Sequence, residues 1–145
     1  MQFNKGFKAV QGYIDTKKPY DSWISLSYAI SFCSINRVFQ YARYSLGMCC
    51  QLCGTGFAVS TDVLRKIGWG ATCLAEDMEF TMKLCMNDEK VAFAYDAKIY
   101  DEKPLTRKQS WHQRVRWMQG HCDVASRYVW KLFKKGIKEH KLSCI

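Results

Sequence analysis

The segment Glu76-Asp-Met-Glu-Phe-Thr-Met-Lys-Leu-Cys-Met86, followed after four residues by Val91-Ala-Phe-Ala-Tyr95, decides the fold class. Its first part has helix-forming composition and carries acidic residues in the first turn, where the positive end of the helix dipole favours them. Its second part is a short apolar run that reads as a strand; Lys98–Tyr100 reads as another, and Pro104 ends the region. Upstream, Gly54-Thr55-Gly56 precedes a short strand at Phe57–Val59, Ser60-Thr61-Asp62 caps a helix through Lys66, and Gly68-Trp69-Gly70 breaks the chain. Further back, Phe7–Ile14 alternates like a strand and closes in the turn residues Asp15–Pro19. Asp21 or Ser22 then caps a long helix to about Leu46, signalled by Trp23, Leu26, Ile30, Cys33, Val38, Tyr41 and Ala42 at three- and four-residue steps. Strands and helices alternating in this order predict an α/β layer structure.

Downstream, Thr106 caps a helix through Trp111, Val115 and Met118, with Gly120 as a break. A last helix from about Val124 places Val124, Tyr128, Leu132 and Phe133 on one side and Arg127, Lys131, Lys134, Lys135 and Lys138 largely on the other. The expected organisation is therefore a main unit over residues 1–122 and a basic amphipathic helix over 123–145 that lies on a membrane surface, with Val124, Tyr128, Leu132 and Phe133 toward the lipid, Trp130 at headgroup level and Lys141 extending the basic face.

The chain has 145 residues, 48% of them hydrophobic and 24% charged, which is too apolar for disorder and enough for one domain. Acidic and basic residues cancel up to Glu102, so the net charge of +9 is carried entirely by the part from Lys103 onward. A field concentrated in this way suits a polyanion, a diphosphate or an anionic membrane surface, although a solvated basic face has the same composition. The 8 cysteines accompany a full complement of large apolar residues, which favours buried reduced thiols over a disulfide scaffold. Cys49, Cys50 and Cys53 contain one C-x-x-C without a second pair or a nearby histidine, so no zinc site is expected. Met1–Lys8 lacks the apolar run of a secretory signal, and the uncharged stretches Ser22–Asn36 and Ser45–Thr61 are too short and too polar to span a bilayer.

Two groups of residues could carry chemistry. Glu76, Asp77 and Glu79 lie within one helical turn directly after a Gly-Trp-Gly loop. Carboxylates there can simply satisfy the helix dipole, or one can act as a general base at the rim of a cleft; Asp77 is better placed than Glu79 if Gly68–Ala75 forms one wall. The second group is Gln113, Arg116 and Trp117, at i, i+3 and i+4 on one helical face. An arginine binds diphosphate in planar, multidentate fashion, an amide serves hydroxyl or phosphate, and an indole offers an apolar plane to a sugar. The same spacing also fits an amphipathic helix with its tryptophans buried and its arginines solvated.

Ala75-Glu76-Asp77, then Asp101-Glu-Lys-Pro104, then Gln113-x-x-Arg116-Trp117 together resemble the C-terminal half of a family 2 glycosyltransferase, the group of cellulose, chitin and hyaluronan synthases and many bacterial polysaccharide transferases. Val10-Gln11-Gly12-Tyr13, Gly54-Thr55-Gly56 and Gly68-Trp69-Gly70 extend the resemblance over nearly the whole chain. It implies part of a GT-A, Rossmann-like domain and an inverting transfer of a sugar from a nucleotide-diphosphate donor to an acceptor hydroxyl, in polysaccharide or glycolipid synthesis at the cytoplasmic face of the cell membrane. It also implies Asp77 as catalytic base beside Glu76, Gln113 and Arg116 facing the donor diphosphate, and Trp117 lining the acceptor sugar. Arg114 lies in the motif at a variable position.

The chain departs from the family at Ala75, where threonine is common, and contains no Asp-x-Asp. The resemblance therefore implies a fragment whose parent uses a divalent cation, Mg²⁺ or Mn²⁺, and which by itself neither binds that metal tightly nor transfers sugar. Two other readings stand beside it. One is a basic nucleic-acid-binding module, motivated by the charged C-terminal part and the many aromatics but lacking any nucleic-acid fingerprint, so that no nucleic-acid partner is expected. The other is a non-catalytic interaction module.

Overall fold

A computed structural model describes residues 2–70 and 72–139. Its sheet has three strands, β1 (Ala9–Thr16), β2 (Phe57–Val59) and β3 (Val91–Asp101), in the order β2-β1-β3. The central strand β1 pairs antiparallel with β2 and parallel with β3. Where two short strands were expected, β3 runs as one. Its register against β1 jumps from Gly12↔Ala94 to Tyr13↔Lys98, so Tyr95, Asp96 and Ala97 form an irregularity that reads as a gap in the sequence.

Among the described residues the α-helices are α1 (Trp23–Ser34), α2 (Ala42–Ser45), α3 (Thr61–Ile67), α4 (Glu76–Met86) and α5 (Arg107–Glu139). Ser22 caps α1 in a capping box with Ser25, and Ser60 caps α3 by accepting from the Val63 N–H. Between α1 and α2 the helical backbone continues as a π-helix over Ile35–Tyr41. The residues whose spacing signals this long helix are not those it buries: Trp23, Ile30 and Val38 are 64%, 62% and 66% exposed, whereas Ile24, Tyr28, Asn36 and Gln40 face inward. The two buried amides satisfy backbone groups that no strand reaches. Asn36 donates to the Ile14 carbonyl at 2.7 Å, and Gln40 exchanges bonds with the N–H and C=O of Gln51 at 3.0 and 2.7 Å.

The core joins β1 and β3 to α4 and the segment before β2, through Ala9, Tyr13, Cys50, Leu52, Phe80, Leu84, Val91 and Phe93. α5 is a single helix, so the break expected at Gly120 does not exist, and the expected boundary at 122/123 falls within it. Gly120 is instead a contact point: a Cβ there would lie 2.7 Å from the Ala75 Cβ and 2.8 Å from the Ala75 nitrogen. Its missing side chain lets α5 pass directly over the residue that opens α4.

Further along α5, Val124 and Leu132 are buried, Tyr128 donates to Glu79 at 3.2 Å, and Lys135 pairs with Asp88 at 2.9 Å while donating to the last carbonyls of α4. The stripe Val124, Tyr128, Leu132 expected to face a membrane thus packs largely on the domain, and only Phe133 of that set is exposed. Lys141 and the rest of the expected 123–145 segment beyond Glu139 lie outside the described residues.

Candidate active site

The packing of α5 over Ala75 brings the two candidate groups to one cavity of about 540 Å³. Glu76 and Asp77 line it from the first turn of α4, and Gln113, Arg116, Trp117 and His121 line it from α5. Cys53, Gly54 and Thr55 form a further wall, and Leu74 and Ala75 close the side leading into α4. Of the loop before α4, Leu74 and Ala75 thus contribute to the cavity wall.

Asp77 is the partly buried carboxylate of the pair. Its Oδ1 accepts from the Met78 N–H at 2.7 Å, and its Oδ2 lies 3.5 Å from where a Cβ on Gly54 would stand. Burial raises its pKa above the ordinary value, and the neighbouring Glu76 adds to the rise, while the Met78 N–H and His121 pull against it. A carboxylate held in this way remains basic enough to accept a proton from a hydroxyl group approaching the cavity. Glu79, one turn on, does different work. Burial opposes its charge, but the Thr72 N–H, the Cys73 thiol, Lys83 and the Tyr128 hydroxyl bring its pKa down to about 2. It is an anchor between the loop, α4 and α5, and it does not line the cavity.

On the opposite side, Trp117 packs edge-on against Tyr28 of α1 at 6.2 Å, and Tyr28 and Ser110 share a hydrogen bond at 3.1 Å. These contacts fix the first turns of α5 against α1. Arg114 takes no part in the cavity wall; its guanidinium sits over the Tyr28 ring at 5.1 Å. Gln113 lines the cavity, and its Oε1 is buried with no donor among the described residues.

The loop facing Asp77 is held by two amides, Gln11 of the Val10–Tyr13 motif and Gln40, which lies in no motif. Gln11 accepts from the Cys53 N–H at 2.9 Å and donates to the Thr55 carbonyl at 2.9 Å, while Gln40 donates to Cys53 Sγ at 3.3 Å. Burial, followed by the Asp77 carboxylate, pushes the Cys53 thiol up to about 12, which keeps it neutral. Lys103 also escaped selection. Its side chain is 4% exposed, with Nζ 2.8 Å from Asp101 Oδ2 and 3.6 Å from the centre of the Phe32 ring, on the cavity wall. Its place in Asp101-Glu-Lys-Pro and at the start of the basic part of the chain was the available signal. His121 could have been found by its spacing, one turn beyond Trp117.

The sequence matches glycosyl transferase family group 2 over residues 4–142. The chain belongs to this family. Among its relatives, the probable glycosyltransferase YdaM of Bacillus subtilis is 33% identical over 82 residues, 56% of this chain and 20% of YdaM. The beta-monoglucosyldiacylglycerol synthase of Synechocystis is 28% identical over 88 residues, 60% of this chain and 18% of that protein, and the synthase of that name in Trichormus variabilis is similar at the same level. The matched stretch thus spans about a fifth of the length of these relatives. Family membership agrees with the mixed sheet and the long terminal helix, which form an α/β partial GT-A domain.

The divalent cation implied by the resemblance finds no ligand set here: no group of three His, Cys, Asp or Glu side chains converges among the described residues. Asp101, a carboxylate of the cavity wall, is already paired with Lys103.

Proposed function

We propose that this chain forms the acceptor and leaving-group side of an inverting glycosyltransferase that uses a nucleotide-diphosphate sugar, acting in glycolipid or polysaccharide synthesis. The observation that carries this reading is the cavity shared by Asp77 with Gln113, Arg116 and Trp117. Asp77 takes the proton of the acceptor hydroxyl as its oxygen attacks the anomeric carbon, and the bond from that carbon to the diphosphate breaks on the opposite face. One displacement inverts the configuration. Arg116 and Lys103 face the negative charge that grows on the departing diphosphate, and fixed cations in a walled cavity act more strongly than in water. The Gln113 amide serves the donor diphosphate or a substrate hydroxyl, and the Trp117 indole offers the acceptor sugar an apolar plane. Glu76 adds negative charge beside Asp77 and so supports its basicity.

This reading assigns the whole reaction to the longer protein, with the nucleotide pocket and any metal on the donor phosphates outside the described residues. Incubating the full-length protein with nucleotide sugars and diacylglycerol or oligosaccharide acceptors is expected to release nucleoside diphosphate and give a product of inverted anomeric configuration by NMR. A product with the donor's configuration would overturn the inverting assignment.

We also assign this protein a place on the cytoplasmic membrane surface. No helix among the described residues is long and apolar enough to cross a bilayer. The support is the outward face of α5, where Trp111, Val115, Met118, Val129, Phe133 and Ile137 recur at helical spacing in exposed positions, with Trp130 and Lys134 on the flank. Basic residues near anionic lipid contribute about 1 kcal/mol each. Co-sedimentation with anionic vesicles is expected, weakening with salt and on changing Val129 and Phe133 to Ser. Equal partitioning of that variant and the wild type would remove the assignment.

A further inference from the structure

Away from the cavity, at the other end of α4, Cys85 Sγ lies 3.2 Å from Cys49 Sγ. The two thiols come from positions 36 residues apart. Cys49 is 7% exposed within the core cluster, whereas Cys85, in the last turn of α4, is half-buried and open to small solutes. The surrounding backbone fixes both. The Val91 N–H points at Cys49 Sγ at 3.4 Å, the Cys50 N–H donates to the Val91 carbonyl at 3.0 Å, and Lys135 holds the Met86 carbonyl at 2.7 Å. Only a contraction of roughly 1.2 Å separates this sulfur pair from bonding distance, within reach of small side-chain rotations.

The remaining thiols of this region are differently placed. Cys50 Sγ donates to the Gln40 carbonyl at 3.3 Å, and its thiol is pushed up to about 12 by burial and by its neighbour Cys49. Cys49 itself is brought down to about 7, first by the hydrogen bond from Cys85 and then, against burial, by the Val91 N–H, Arg43 and Lys90.

We propose that Cys49 and Cys85 are a modification site, a dithiol that hydrogen peroxide converts to a reversible disulfide stapling the end of α4 to the segment that leads into the cavity wall. Cys85, the accessible member, passes the proton it shares with Cys49 to that sulfur and attacks one peroxide oxygen as its thiolate: an S–O bond forms, the O–O bond breaks, and the leaving hydroxide takes the proton back from Cys49 to become water. The Cys49 thiolate then attacks Cys85 Sγ; the S–S bond forms, the S–O bond breaks, and a second hydroxide leaves and is protonated. Two thiols and one peroxide give one disulfide and two waters, with two electrons passing from sulfur to peroxide. A small dithiol reverses the reaction by exchange.

The test is peptide mapping of the folded full-length protein after peroxide treatment and alkylation of the remaining thiols. The expected result is a linked pair of peptides containing Cys49 and Cys85, two hydrogens lighter than their sum and absent after dithiothreitol. The link is expected to vanish in Cys85→Ser, with Cys49 then alkylated, and to survive in Cys122→Ser, which removes an exposed thiol. Wild-type mapping decides the matter even if the Cys85 variant does not fold. Alkylation of both residues after treatment, recovery of Cys85 only as the sulfinic acid, or a link between another pair of cysteines would overturn the proposal.

Discussion

Changing Asp77 to Asn in the full-length protein is expected to lower the turnover of sugar transfer by a factor of about 10²–10⁴, the usual contribution of a positioned general base. Asparagine keeps the size of the side chain but cannot take a proton, so nucleotide binding should change little. The pH profile carries a second signature. Because burial raises the Asp77 pKa, the base is lost as pH falls through a value above the usual carboxylate range of about 3.9. The acid limb of kcat/KM is therefore expected to lie above that range and to disappear in the variant. A loss of less than about tenfold, well under a general base's usual contribution, would mean that another group removes the proton.

Placing a side chain at Gly120 is expected to be nearly as damaging, although the residue touches no substrate in this account. In an open helix, alanine in place of glycine gains about 1 kcal/mol. Here the added Cβ meets the Ala75 backbone nitrogen at 2.8 Å, and backbone cannot swing aside as a flexible side chain would. Overpacking of this kind costs about 1–3 kcal/mol, and Val should cost more than Ala. The larger effect is on activity, because separating α5 from the start of α4 moves Arg116 and Gln113 away from Asp77. A displacement of about 1 Å can cost about 10²-fold in rate. Gly120→Val is thus expected to reduce kcat strongly while circular dichroism still reports the helix. Wild-type turnover in that variant would show that the Ala75 contact does not position the site.

The elements around α4 were legible because their signals are local. Three carboxylates in its first turn, the Ser60 cap of α3 and the alternation in β1 act over a few residues, and their positions agree with the structure to within about two residues. The motifs also placed Asp77 and Gln113, Arg116 and Trp117 on helices, so their side chains could be assigned to faces. What stayed hidden depends on partners distant in sequence. Gly120 has the same local signature whether it breaks a helix or lets it pass against Ala75, 45 positions earlier. The long first helix buries Asn36 and Gln40 because they replace strand partners for Ile14 and Gln51, and no apolar periodicity announces that. Val124 and Leu132 make an amphipathic stripe that fits a lipid surface or α4 equally well, and only the fold shows that α4 takes it. Lys103 likewise becomes a candidate only when Phe32, 71 residues away, packs beneath it.

The central claim is that the cavity between the start of α4 and α5 is where the sugar changes hands. A crystal structure of the full-length protein with a non-transferable phosphonate analogue of its nucleotide sugar tests it most directly. The account predicts diphosphate oxygens within hydrogen-bond distance, about 2.7–3.2 Å, of the Arg116 guanidinium, with Asp77 across the cavity on the opposite side of the anomeric carbon. An analogue bound in a productive pose with its diphosphate and sugar clear of Arg116, Gln113 and Asp77 would contradict it.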